Sequence, residues 1–242
     1  MRDSPTAARM SVSQEREEAA GHSETLRPES AAHSCVQQSS KPTHSDGGTH
    51  HASVSRAHPR LLRYACDLTL DPNTANRNLS LSEGNRKVTH VDKQQPYPEH
   101  PERFDSSYPQ VLCREGLTGR CYWEAEWSVD GDEISVAYKS IKRKGDSNDV
   151  IMGRNAKSWS LDCHPDSYYA CHNNKHTEIP APSSGSRTVG VYLDWPAGTL
   201  SFYSVSTDTL THLHTFHSTF TEPLYPGFYV WIGSSVSLCK IT

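Results

Sequence analysis

The sequence is poor in large apolar side chains, and no run of them is long enough to cross a bilayer. The hydrophobic set accounts for 34% of 242 residues, a low share for a chain that folds along its whole length. No stretch approaches the roughly 18 consecutive apolar residues that a spanning helix needs. The N-terminal MRDSPTAARM has no apolar core of the kind a secretory signal carries. An excess of basic charge is also missing. Twenty-four Lys and Arg stand against 28 Asp and Glu, a net charge of −4 with His neutral, whereas a nucleic-acid platform shows a clustered basic surface. There is no G-x-S-x-G elbow, no H-E-x-x-H and no phosphate loop, so the common catalytic frameworks are not represented. These gaps lead to the expectation of a cytoplasmic protein that is not an enzyme, holds no cofactor, binds no nucleic acid and inserts in no membrane.

Paired cysteine knuckles are lacking as well. Cys35, Cys66, Cys113, Cys121, Cys163, Cys171 and Cys239 are odd in number and include no Cys-x-x-Cys, unlike a short secreted disulfide scaffold. Several fall inside apolar strand patterns, where a reduced thiol acts as a small hydrophobe. Cys163, His164, Cys171, His172 and His176 lie close in sequence. Zinc needs four ligands in a tetrahedron, and their C-x7-C and H-x3-H spacings on strands do not converge, so no metal is expected. The Asn78-Leu79-Ser80 sequon is not expected to be used in a chain without a secretory signal. Glu124 and Glu126 resemble a carboxylate pair but read as the outward residues of a strand.

Residues 1–60 contain no Trp, Tyr or Phe and no apolar period. Such a segment cannot bury enough surface to offset the entropy of ordering it, so a disordered polar tail is expected, with at most a marginal helix at Ser11–Ala20. From Leu61 the pattern becomes one of short alternating runs. Strands are predicted at Cys66–Leu70, Asn78–Leu81, Lys87–Val91, Val111–Cys113, Cys121–Val129, Ile134–Tyr138, Trp159–Cys163, Ser167–Cys171, His176–Ile179, Leu210–Phe216, Phe228–Ile232 and Val236–Ile241. The Pro-rich 92–109 reads as a long ordered loop or a junction. The most sharply patterned stretch is VGVYLDWPAGTLSFYSV, Val189 to Val205. Val189, Val191, Leu193 and Trp195 share one face, Pro196-Ala197-Gly198 reverses the chain, and Leu200 and Phe202 return on the buried side, which makes a β-hairpin. Many short strands without long amphipathic helices give an all-β fold, a sandwich or barrel.

Five motifs carry a resemblance: LDPNTA (Leu70–Ala75), GRCYWEAEW (Gly119–Trp127), GRNAKSWSL (Gly153–Leu161), LDWPAGTLSFYSV (Leu193–Val205) and PLYPGF (Pro223–Phe228). In this order they resemble the PRY-SPRY domain family, with residues 61–108 as the PRY segment and 109–242 as the SPRY domain, one structural unit. Ala125 stands where Val is common in the family, and Phe104–Pro109 departs from a stretch that often holds a Trp. The resemblance implies a bent antiparallel β-sandwich of two sheets, jelly-roll-like, that binds a protein partner through loops at one end. Tripartite-motif ligases and innate immune receptors carry such a domain at the C-terminus behind an effector domain. A role in innate immunity or ligase substrate recognition is therefore implied.

Loops on rigid scaffolds carry binding residues. By polarity and position between strands, the expected contact residues are Arg86, His100, Lys142, Arg143, Lys144, Asp146, Asp149, His164, Asp166, Asn173 and Lys175. Trp123, Trp127, Trp159 and Phe202 fit a sandwich core; Trp231 is ambiguous. Two rival readings stay open: a fragment of a larger ligase or immune sensor, and a glycan or small-ligand sensor, since lectins share the architecture. The partner's identity and the oligomeric state are not legible.

Overall fold

The computed structural model describes residues 57–207 and 209–241. The tail and its marginal helix thus lie outside the described residues, apart from a short helix α1 (Ala57–Leu62). This helix begins before the boundary expected at residue 61, and Pro59 falls in its first turn, where a missing N–H costs no internal bond.

Thirteen strands follow: β1 (Leu79–Ser82), β2 (Lys87–His90), β3 (Gln110–Leu112), β4 (Arg120–Trp127), β5 (Asp132–Tyr138), β6 (Ser158–Cys163), β7 (Ser167–His172), β8 (Lys175–Pro180), β9 (Thr188–Asp194), β10 (Thr199–Val205), β11 (Leu210–His217), β12 (Leu224–Tyr229) and β13 (Ser235–Leu238). They form two antiparallel sheets, one of seven strands ordered β1-β2-β13-β4-β9-β10-β11 and one of six ordered β3-β12-β5-β6-β7-β8. The expected all-β sandwich is what forms. Alternate residues of each sheet meet in one core: Trp123, Ala125 and Trp127 of β4, Val189, Val191 and Leu193 of β9, and Leu200 and Phe202 of β10 face Ile134 and Val136 of β5, Trp159 and Leu161 of β6, and Phe228 of β12.

The β9–β10 hairpin sits inside the seven-stranded sheet with Leu193 opposite Leu200 and Val191 opposite Phe202. Its reversal is tight for a definite reason. Gly198 has φ +69°, and a Cβ there would lie 2.3 Å from the Ser218 carbonyl oxygen, so only glycine fits. Trp195 packs against the core as expected, but from the turn and not from the strand. It lies in the turn, half-buried, and its indole N–H donates to the Glu222 carbonyl at 3.0 Å.

Three other expectations need correction. Residues Cys66–Leu70 do not form a strand. Leu68 and Leu70 are buried as the alternation requires, but the backbone partners are scattered: Cys66 N–H donates to Tyr122, Leu70 N–H to Asn85, and Thr69 accepts from Arg114. The cysteines are not all free, because Cys66 and Cys121 form a disulfide across Cα atoms 5.7 Å apart. A parallel bridge between Ala65 and Tyr122 lays their segments side by side. Finally, β4 ends at Trp127, and Val129 stands 39% exposed on the turn that follows.

The Pro-rich 92–109 is an ordered loop. Buried Arg103 holds it by donating to the carbonyls of Pro98, Pro72 and Ala75. A second, smaller apolar cluster of Phe104, Leu112, Ala137, Ile141, Val150 and Met152 lies beneath the β5–β6 loop. Ala137 alternates with the core residues Val136 and Tyr138, so this loop packs on the outer face of the six-stranded sheet. Gly153 lets it lie close: at φ +82°, a Cβ would meet the Ser160 hydroxyl at 2.1 Å.

Candidate functional site

The structure separates the sequence-expected contact residues into groups. His100, Lys142, Arg143, Lys144, Asp146 and Asp149 come together, because the 92–109 loop and the β5–β6 loop are stitched to each other. Asp105 N–H donates to the Arg143 carbonyl, Ser107 N–H to the Asp146 carboxylate, and the Gln110 side chain joins Val150 and Met152. Within this group Arg143 is not a surface cation. It is 9% exposed, pairs with Glu102 at 3.1 Å, donates to the Lys139 carbonyl and lies over the Phe104 ring at 4.6 Å. Burial pulls its pKa down, and the Glu102 carboxylate opposes that. Lys142, exposed, pairs with exposed Asp149. His100 accepts the Glu102 N–H on Nδ1 at 3.1 Å.

Asn173 lies in the two-residue β7–β8 turn, and Lys175 begins β8. Asn173 and Asn174 have φ of 50° and 59°, the positive values a tight primed turn requires, and their N–H groups reach the carbonyls of Asn155 and Gly153. Arg86 lies apart from the others, held by Asp67 and the Cys239 carbonyl. His164 and Asp166 occupy the β6–β7 turn, at the opposite end of β7 from Asn173. Cys163 faces the core, Cys171 approaches His176 at 3.5 Å, and His172 stacks on Trp159. Among the described residues no group of three or more His, Cys, Asp or Glu is placed to hold a metal.

Sequence reasoning missed the feature that organises the His164 end. Strand register aligns Tyr229, Glu133, Asp162, Tyr169 and Glu178 across β12, β5, β6, β7 and β8. Each alternates with core residues: Phe228 and Val230, Ile134, Leu161 and Cys163, Tyr168 and Ala170, Ile179. The row therefore lies on the outer face, about 19 Å long at ~4.8 Å per strand. The next row inward, Ser135, Ser160 and Cys171, is the one that the Gly153 loop approaches. Tyr108 and Trp231 flank Tyr229 at 6.4 and 5.8 Å between ring centroids. The Tyr229 hydroxyl has its pKa pushed up, first by burial and then by the charge of Glu133.

Two turns stand beside the row, 128–131 between β4 and β5 and 230–234 between β12 and β13. Buried Asp132 ties them: it accepts the N–H groups of Trp231, Ser128 and Val129 at 3.0, 3.3 and 3.5 Å and the Ser234 hydroxyl. Burial raises the Asp132 pKa against these bonds. Ser128 Oγ and Ser234 Oγ are 3.1 Å apart. These fixed turns present Val129 and Ile232, the two large hydrophobics that are exposed among the described residues. His164 links the same end, with Nδ1 on Asp130 and Nε2 2.9 Å from Asp162.

The SPRY domain model matches residues 120–240, and the SPRY-associated PRY model matches 68–117. The chain belongs to the PRY-SPRY family. Within this family it is 48% identical to stonustoxin subunit beta of Synanceia horrida over 69% of the chain and 24% of that subunit. It is 40% identical to tripartite motif-containing protein 16 of Mus musculus, over 77% of the chain and 33% of that protein. The crystal structure of the TRIM65 PSpry domain superposes with a TM-score of 0.70 at 32% identity, over 78% of this chain and 98% of that one. This PRY-SPRY chain thus spans 24% and 33% of the length of these two relatives, and nearly the whole of an isolated PSpry domain. As an SPRY domain of this kind it is a protein-interaction module. Among the described residues no helix is long and apolar enough to cross a membrane.

Proposed function

We propose that this chain recognises a protein partner on the outer face of the six-stranded sheet, along the row from Tyr229 to Glu178 and against the turns beside it. One observation carries the reading. The exposed Val129 and Ile232 sit on turns that buried Asp132 holds in place, bordering an aromatic and acidic row. Apolar groups held out on stiff turns suit recognition, because little order has to be imposed on binding. The role is non-catalytic in this reading, and the stitched loops with Lys142, Lys144, Asp146 and Asp149 form a second rim of the contact.

Relatives include both toxin subunits and tripartite motif proteins, so the partner belongs to whatever larger assembly the domain serves. Substrate recognition for a ligase or an immune sensor is our preferred setting. A cytoplasmic location is part of the proposal, and the Cys66–Cys121 bond makes it testable, since structural disulfides are rare in the cytosol. Thiol labelling in intact cells reads it: sulfurs found reduced there support a cytoplasmic location, and an oxidised pair argues for a secretory one.

Photo-crosslinking tests the site. A benzophenone amino acid placed at Tyr169 or Ile232 of the full chain should capture a cellular protein. The same group at Glu126, on the outer face of the other sheet, should not. Capture from Glu126 alone would refute the reading. A glycan array bound in preference to protein would favour the lectin-like alternative.

A further inference from the structure

Resting on the site proposed above, the partner's chemistry follows from what the face presents. Its floor holds two carboxylates on neighbouring strands in direct register, half-buried Glu133 and Asp162, which is only 9% exposed and pairs with His164 at 2.9 Å. An aromatic ring stands at each end of that pair, Tyr229 beside Glu133 and Tyr169 beside Asp162. By strand spacing the two rings are about 14 Å apart, wide enough for an extended side chain to lie between them. His164 meets the Tyr169 ring edge-on at 5.4 Å and carries the line of acidic groups on to Asp130. The Tyr108–Tyr229–Trp231 rings continue the aromatic side toward the apolar tip.

We propose that this face binds a peptide segment of a protein partner in which an Arg or Lys side chain lies beside a bulky apolar one. The cation reaches Glu133 and the exposed edge of Asp162 and meets the half-buried Tyr169 ring, with buried Tyr229 closing the other end. The apolar side chain packs on Trp231, Ile232 and Val129.

The assignment of charge follows from the types of side chain on the row. A guanidinium or ammonium gains from carboxylates by charge-assisted hydrogen bonds and from the ring faces by cation–π attraction. His164 already serves Asp162 and Asp130, so Glu133 is the main carboxylate for the cation, and it accepts a further hydrogen bond beside its existing contacts. An acidic or phosphorylated segment meets like charge at Asp130, Glu133, Asp162 and Glu178. An anionic membrane surface meets the same repulsion, and two exposed side chains, Val129 and Ile232, provide little area to insert. The basic Arg154, whose charge reaches Tyr229, stands on the loop side, so the cation belongs nearer Asp162 than the loop.

A phage library of random linear peptides, selected on the immobilised full chain, tests this. Selected sequences should be enriched at least ~10-fold in Arg or Lys adjacent to Trp, Phe, Leu or Ile. Their binding should weaken with added salt. Glu133→Gln should remove the preference for the cation while keeping that for the apolar residue, and Trp231→Ala should do the reverse. Both variants must keep the wild-type melting curve. Selection of acidic peptides, of none, or of peptides insensitive to both substitutions overturns the inference, as does retention on phosphatidylserine vesicles in preference to peptides. The site itself fails separately: a partner that crosslinks from Tyr169 but contacts it through a segment without Arg or Lys refutes this inference and leaves the site standing, whereas crosslinking from Glu126 alone removes both.

Discussion

Arg143 lies between two lysines, yet its replacement should act on stability and theirs should not. In Arg143→Ala the chain loses the guanidinium stack on Phe104 at 4.6 Å, worth about 1–2 kcal/mol when desolvated. It also loses a charge-assisted bond to Glu102 at 3.1 Å, worth about 1.5–3 kcal/mol. Glu102 keeps a third of its side-chain exposure, so water recovers part of the second amount. A loss of about 2–4 kcal/mol results, and at about 2–4 °C per kcal/mol for a domain of this size the melting temperature falls by some 4–16 °C. The Lys142→Glu, Lys144→Glu double variant alters exposed side chains and should stay within about 0.5 kcal/mol for each. Guanidinium titrations of the three proteins give the answer through the midpoint at constant slope. If Arg143→Ala unfolds at the wild-type midpoint, or the lysine variant loses more than it does, the reasoning about burial at this loop is wrong.

Phe202→Ala, at a side chain with no exposure, should cost about 3–5 kcal/mol; a soluble variant with a wild-type melt refutes the central place of the hairpin. Burial works against protonation of His164, but its hydrogen bonds to Asp162 and Asp130 and their charges prevail and raise its pKa above 6.5. Its contribution is therefore complete below about pH 6.5 and lost as pH rises through the higher folded value. Urea melts should show a deficit of His164→Gln that shrinks across that window, and a deficit independent of pH counts against it. Reducing Cys66–Cys121, which spans 55 residues, removes up to about 4 kcal/mol by chain entropy. Dithiothreitol should lower the wild-type melt and leave a Cys66→Ser, Cys121→Ser variant unmoved.

The strands were legible where one face is buried and the other wet. Val189–Val205 and Cys121–Trp127 declare themselves by alternation alone. Residues 66–70 show the same alternation without a ladder, because burial of Leu68 and Leu70 satisfies the pattern whatever the backbone pairs with. The Tyr229–Glu178 row was hidden for a different reason. Its members come from five strands, and only pairing register brings them into line. Arg143 could not be told from Lys142 and Lys144 in sequence, since the carboxylate that buries it lies 41 residues away. Trp231 was ambiguous because its neighbours Val230 and Ile232 are, respectively, wholly buried and exposed.

Strand β13 has a bearing on how the molecule is made. It is the last strand among the described residues, yet it lies between β2 and β4, with Val236 opposite both Val88 and Trp127. The early hairpin β1–β2 therefore has no neighbour in its sheet until residues 235–238 exist. On a translating ribosome, β4, β9, β10 and β11 can associate while this hairpin waits, its apolar Leu79 and Val88 still seeking cover. Closure joins positions nearly 150 residues apart (Thr89 with Ser235), a non-local step of the kind that slows folding. A stop codon before residue 235 would thus strand the beginning of the domain, while chaperones would have the whole interval of synthesis in which to hold it.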